Sequence, residues 1–282
     1  MIIDSDNYKA AGIETMFFPG GEPHVKVPRK WKSRESIKLF LKLRTWNDVG
    51  IAACLLDVLE RRGDDIAEVF IPYFPGARQD KAFDTEAPYT VAIMEELLCR
   101  WRDVSVFDPH SAVLEAFGNL KAVYMPADLR VDVDEEKDGL VVGIIAPDAG
   151  AYERAANFQE SFYPNAALIE CSKIRNKRSG TLSHYEMGEL FEEGRYIVVD
   201  DICDGGGTFN LLAEAFDANQ YGKGSGLELF VSHGIFSKGT LAVSPRYSRI
   251  TTTDSWWSGP SVGRLTVLPL LPLLANNTEV AL

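Results

Sequence analysis

The chain of 282 residues is poor in cysteine, in histidine and in positive charge. Its four cysteines, Cys54, Cys99, Cys171 and Cys203, are scattered with no Cys-x-x-Cys pair. That spacing argues against a zinc ribbon or a redox pair and leaves reduced thiols. There are 29 basic and 41 acidic residues, a formal net charge of -12. With no basic surplus to neutralise phosphates, no nucleic-acid partner and no anionic-membrane partner is expected. The apolar stretch from Leu265 to Ala275 is interrupted by prolines and falls short of a membrane span. The start, Met1 to Asp6, is polar and has no signal-peptide core, so the expectation is a cytoplasmic protein.

What is there is an alternation of two periodicities. Ile37–Leu43, Val69–Tyr73 and Val104–Phe107 read as strands. Between them lie an amphipathic helix from Asp48 to Arg62, stopped by Gly63, and a second helix from Pro88 to Trp101. The alternation resumes with strands at Leu140–Ala146, Ala166–Cys171, Ile197–Asp200, Leu227–Ser232 and Ile250–Asp254. An acidic run from Asp132 to Asp138 separates the two series and reads as a solvated turn or boundary. The expected fold is α/β, with two tandem doubly wound parallel-sheet domains, 1–136 and 137–282. In such sheets ligands sit beyond the C-terminal strand ends, where Asp108, Asp148, Lys173, Asp200 and Asp201 fall.

The segment Tyr196–Phe209 carries the strongest chemistry. An apolar, β-branched strand ends in Asp200 and Asp201, and Asp204, Gly205, Gly206, Gly207 and Thr208 follow before a helix begins at Leu211. Glycines let backbone N–H groups approach a ligand closely, and a helix N-terminus adds a favourable dipole for an anion. Paired acids at the strand end accept hydrogen bonds from sugar hydroxyls. Phosphate at the turn and hydroxyls at the acids together describe a ribose 5-phosphate.

This segment resembles the PRPP motif shared by type I phosphoribosyltransferases and ribose-phosphate pyrophosphokinases. Further motifs in order favour the second family. Phe18-Pro-Gly-Gly-Glu22 resembles its adenine-side segment, with Gly20 in place of an acid. Ile71–Asp80 is similar to its Ile-Pro-Tyr-Phe-x-Tyr-Ala-Arg-Gln-Asp signature, and Phe107-Asp-Pro-His-Ser111 to its Asp-Leu-His-Ala segment. Ala146-Pro-Asp-Ala-Gly150 resembles Ser-Pro-Asp-x-Gly, and Lys173 with Arg175 its Asp-Lys-x-Arg pair.

The resemblance implies fold domains of the type I phosphoribosyltransferase kind and a transfer of diphosphate from ATP to ribose 5-phosphate with Mg²⁺. Phe18, Glu22, Arg78, Gln79, Asp80 and His110 would then bind ATP, and His110 and Asp148 would serve the metal. Lys173 and Arg175 would be catalytic. Asp200, Asp201, Asp204, Gly205, Gly206, Gly207 and Thr208 would hold the ribose phosphate. A homo-oligomer, dimer or hexamer, is also implied, with a product feeding nucleotide or NAD synthesis.

Two departures leave alternatives open. Gly205 stands where the family's loop usually has Thr or Ser, so a hydroxyl for the 5′-phosphate is missing. Either backbone N–H groups suffice, or the pocket is opened for a substituted phosphate such as that of ADP-ribose. Glu86 stands near a family arginine of an allosteric phosphate site, which predicts weak or absent inhibition there. A phosphoribosyltransferase and a non-catalytic regulatory homologue are the remaining readings. His233 reads as structural.

Overall fold

The computed structural model describes residues 1–29, 36–80, 88–98, 100–101, 103–112, 114, 118, 120–125, 139–175 and 182–272, without the side chains of 174, 175 and 182–184. The expectations for Cys99, Glu86 and Asp132–Asp138 lie outside the described residues, as does the side chain of Arg175.

The chain forms two units, Met1–Met125 joined by the chain from Leu270, and Pro126–Pro269. In the first unit the elements are β1 (Ile2–Asp4), β2 (Glu14–Phe17), β3 (Pro23–Lys26), β4 (Ile37–Phe40), α1 (Trp46–Arg62), β5 (Ile66–Ile71), α2 (Thr90–Leu98), β6 (Val104–Phe107) and β7 (Leu120–Val123). Strands β1, β4, β5, β6 and β7 form a parallel sheet in that order, and β2 and β3 form a separate antiparallel hairpin.

Helix α1 forms where its sequence dictates. Thr45 and Asp48 make a capping box, with each side chain accepting from the other's backbone N–H at 3.2 and 2.7 Å. Gly63 ends the helix in the left-handed region at φ 71°, a conformation that costs a side chain but not glycine. The buried stripe Ala52, Leu55 and Leu59 faces the core.

The expected second domain ran to residue 282, whereas the structure returns the chain to the first unit at Leu270. Burial gives the reason. Leu270 is fully buried with Phe40, Phe70 and Phe107, and Leu271 packs against them.

The second unit holds β8 (Val141–Ala146), α3 (Tyr152–Phe162), β9 (Ala167–Arg175), β10 (Leu182–Met187), β11 (Arg195–Cys203), α4 (Gly207–Ala218), β12 (Gly226–Gly234), β13 (Tyr247–Thr253) and β14 (Leu265–Leu268). The sheet order is β10-β9-β8-β11-β12-β13-β14, parallel except for β10, which runs antiparallel to β9. The central strands β11 and β12 are buried along most of their length, as expected for strands covered on both faces. After β8 the chain builds outward to β9 and β10, then returns to the other side of β8 to lay down β11. The β8/β11 boundary is therefore a topological switch point, the place where such sheets open a crevice for a ligand.

Strand β9 runs to Arg175, beyond the Cys171 expected from sequence, because β10 pairs with its second half. Among the described residues no helix is long and apolar enough to cross a membrane.

Candidate active site

The switch point of the second unit carries the densest chemistry. Asp148 lies just past β8. Its Oδ1 accepts the backbone N–H groups of Gly150 and Ala151 at 2.9 and 3.1 Å, which fixes the carboxylate at the mouth of the turn before α3. Its Oδ2 accepts from the Lys173 ammonium, presented by the neighbouring strand β9. Both side chains remain about a quarter exposed, at 25% for Lys173 and 29% for Asp148. The pair is thus held in position yet open to exchange with a solvent-borne anion or cation.

Across the switch point, β11 ends in Asp200 and Asp201. The N–H of Asp201 donates to Asp200 Oδ1 at 2.9 Å. Burial pushes the Asp200 carboxyl well above the usual carboxylate range, and the adjacent Asp201 charge adds to it, with Asp148 contributing further. The sign of the effect follows from linkage. A native carboxyl that holds its proton to higher pH than the unfolded chain loses stability as pH rises through that window. Asp200→Asn is therefore expected to melt above the ligand-free wild type at pH 7. The difference should vanish toward about pH 4, where the unfolded carboxyl also protonates. Melts at both pH values check this, and a variant less stable than wild type at pH 7 would contradict it.

The loop from Asp204 to Thr208 leads into α4, whose N-terminal turn contains no acid. Gly206 caps the helix in the left-handed region at φ 78°, and a β-carbon there would meet Ala242 O and Val243 Cγ2 at 3.3 Å. Both facts require glycine. Gly207 has nothing within 4 Å of a β-carbon position and is open. Asn210 holds the next loop by donating to Ala242 O at 2.9 Å and accepting from Ser244 N at 2.7 Å. Cys171 and Cys203 flank this site as buried thiols, each pushed up to about 12 by burial, and so inert as nucleophiles.

Sequence reasoning missed Tyr185. It lies opposite Lys173 in the β9–β10 register, so the two side chains share a face. It is 5% exposed, and its hydroxyl makes no hydrogen bond of good geometry, although the Thr208 side chain lies alongside. The charges of Asp148 and Asp200 act on it, with burial the larger influence, and all three raise its pKa. The only signal was the pairing of β10 with β9, which the sequence did not announce.

In the first unit, Phe18 and Glu22 lie at the tip of the β2–β3 hairpin, with Phe18 N donating to Glu22 O at 2.9 Å and the Phe18 ring tilted against His24 at 5.3 Å. Arg78 and Gln79 are exposed on the turn after β5, while Asp80 is buried at its end. The Gln79 side chain accepts from the Thr90 hydroxyl, so it also anchors the start of α2. His110 is exposed on the loop after β6, the strand beside β5. The ends of neighbouring parallel strands thus present Arg78 and His110 on adjacent loops. His233 is buried and bonded through Nδ1 to Ser255 Oγ at 2.8 Å, a structural setting.

Among the described residues no group of three or more His, Cys, Asp or Glu is placed to hold a metal ion. Asp148 still fits Mg²⁺, which takes one or two carboxylates, substrate phosphates and several waters rather than a protein cage. His110 suits a phosphate oxygen better, since Mg²⁺ prefers oxygen ligands.

No protein-family model matches the chain. It is 30% identical over 230 residues to a ribose-phosphate pyrophosphokinase of Granulibacter bethesdensis, covering 77% of this chain and 72% of that one. It is 30% identical to the enzyme of that name from Pyrococcus abyssi (86% and 84% covered) and 29% to that of Thermococcus kodakarensis (93% and 91%). The fold superposes on a crystal structure of phosphoribosylpyrophosphate synthetase from Mycobacterium smegmatis with a TM-score of 0.73, covering 94% of this chain and 88% of that chain at 19% identity.

Proposed function

The chain belongs to the ribose-phosphate pyrophosphokinase family, and from that premise we propose that it transfers the β,γ-diphosphate of ATP to the C1 hydroxyl of ribose 5-phosphate, giving PRPP and AMP. The observation that carries this reading is the grouping at the β8/β11 switch point. A cation, Lys173, paired to a carboxylate, Asp148, faces two strand-end acids and a glycine-rich helix N-terminus.

Asp200 and Asp201 accept hydrogen bonds from the ribose hydroxyls. The Asp204–Thr208 loop holds the 5′-phosphate with its backbone N–H groups. The anomeric oxygen attacks the β-phosphorus in line and gives up its proton to water, while the bond from the β-phosphorus to the bridging oxygen breaks and that oxygen departs with AMP. Lys173 stabilises the charge that gathers on the transferring phosphoryl oxygens, and Arg175, two residues on along β9, is its partner in that role. Arg78, Gln79, Phe18, Glu22 and the Asp80 turn are the nucleotide side of the reading, with His110 directed to a phosphate oxygen. Mg²⁺ at Asp148 would neutralise phosphate charge when bound.

AMP release from ATP and Mg²⁺, with products identified by mass, tests the reading. AMP and PRPP are expected with ribose 5-phosphate. The same transfer to ADP-ribose is the second reading, favoured by the missing hydroxyl at Gly205. No AMP with either acceptor, or PRPP consumed only when a base is supplied, would sink the proposal.

A further inference from the structure

In the family's signature a Tyr precedes Ala-Arg-Gln-Asp, and here Gly76 stands in its place. Gly76 sits in the left-handed region at φ 75°, and a β-carbon there would overlap the Thr90 methyl and lie 2.8 Å from Thr90 Cβ. A side chain at position 76 and Thr90 in its observed place therefore exclude one another. Without that side chain, the first turn of α2 closes onto the turn after β5. It grips Gln79 twice. The Thr90 hydroxyl donates to Gln79 Oε1, and Val91 N donates to Gln79 O at 3.4 Å.

Both sides of this contact are built. Helix α2 is fixed in the core by Val91, Met94 and Leu98, all fully buried. On the turn, Phe74 and Ala77 are buried, Ala77 N donates to Phe74 O at 3.2 Å, and Gln79 N donates to Gly76 O at 2.8 Å. Thr90 is itself buried, and a buried hydroxyl is costly without a partner, which the Gln79 carbonyl supplies. Gln79 is exposed. With Oε1 turned inward to Thr90, the other end of the carboxamide, Nε2, faces outward, and among the described residues nothing accepts from it.

We propose that Thr90 is a positioning residue for the nucleotide: it locks the Gln79 carboxamide so that a hydrogen-bond donor, and not an acceptor, faces the incoming ATP. The inference rests on the function proposed above and deepens its nucleotide side. A free glutamine side chain loses rotamer freedom whenever it binds, and that loss weakens the contact. One already held by a rigid helix has less to lose, so its contact with an acceptor atom of the nucleotide is preorganised. The lock acts on the binding of ATP and is unchanged by the transfer step. It therefore belongs in the KM for ATP rather than in kcat.

The test uses the full chain with Thr90→Val and Thr90→Ser. Val keeps the shape of Thr and removes the hydroxyl, and the exposed Gln79 amide then finds water, so both variants should melt close to the wild type. Calorimetric affinity for ATP with Mg²⁺, measured without an acceptor, should fall about fivefold in the Val variant and be kept in the Ser variant. In the AMP assay the KM for ATP should rise by a similar factor, with kcat and the KM for ribose 5-phosphate little changed. A Thr90 that only supports the fold would lower Tm without that split. A wild type that makes AMP while the Val variant binds ATP equally well overturns the inference and leaves the proposed function standing, and so does a Ser variant as weak as the Val variant. A wild type that binds ATP but makes AMP with neither acceptor removes the proposed function, and the calorimetric comparison still decides the inference. A wild type that does not bind ATP removes both.

Discussion

Lys173→Ala is expected to lower kcat by about 10²–10³-fold while the KM values for ATP and ribose 5-phosphate change little. In the free protein Lys173 is bound to Asp148. That pair is partly exposed, so breaking it costs little stability and the variant should fold. In the proposed transfer the incoming diphosphate is a stronger partner for the ammonium than a single carboxylate, and its charge grows as the bridging oxygen leaves. An interaction that strengthens only in the transition state acts on kcat, not on KM. Steady-state kinetics with both substrates varied checks the split. A tenfold rise in KM at unchanged kcat would make Lys173 a substrate-binding residue, and a wild-type kcat would remove it from the mechanism.

The largest stability effect should come from the opposite end of the same strands. Arg195 begins β11, and its Nε and Nη2 both donate to Glu228 Oε1 on β12, at 3.0 and 2.8 Å. Its Nη1 donates to Gly139 O at 2.8 Å. The side chains are 8% and 9% exposed. Glu228→Ala leaves a buried guanidinium with no counter-charge, a loss of about 3–5 kcal/mol. For a chain of this size that corresponds to a fall in Tm of about 10 °C. The double variant Arg195→Met/Glu228→Leu should recover much of the loss, because it removes both charges and fills the volume. Activity per folded molecule should persist in the single variant at low temperature, since the pair sits at the N-terminal strand ends and the site at the C-terminal ends. A single variant that melts with the wild type would show that water reaches the pair.

The two effects separate because the N-terminal ends of β11 and β12 hold the buried ion pair, whereas the C-terminal end of β11 carries Asp200 and Asp201. At one end Arg195 and Glu228 are buried and paired. At the other, the half-buried Asp200 stands beside the buried Asp201 with its carboxyl pushed upward.

The sequence by itself determined much of this. The capped helix α1, the β-branched runs of β8 and β11, and the Asp-Asp…Gly-Gly-Gly-Thr turn are local patterns, and local backbone preferences and hydrophobic periodicity specify them without reference to distant residues. Family membership was legible for the same reason, through short motifs in fixed order. Only the tertiary structure decided which residues meet across strands. β10 carries no turn signal that names β9 as its partner, so Tyr185 opposite Lys173 was invisible. The return of Leu270 to the first unit depends on a buried Phe cluster assembled from three separate strands. Lys238 lies 33 positions after Gly205 and reaches it only because the end of β12 is hydrogen-bonded to Cys203. Contacts of that range follow from sheet order and packing, which no local window of the chain contains.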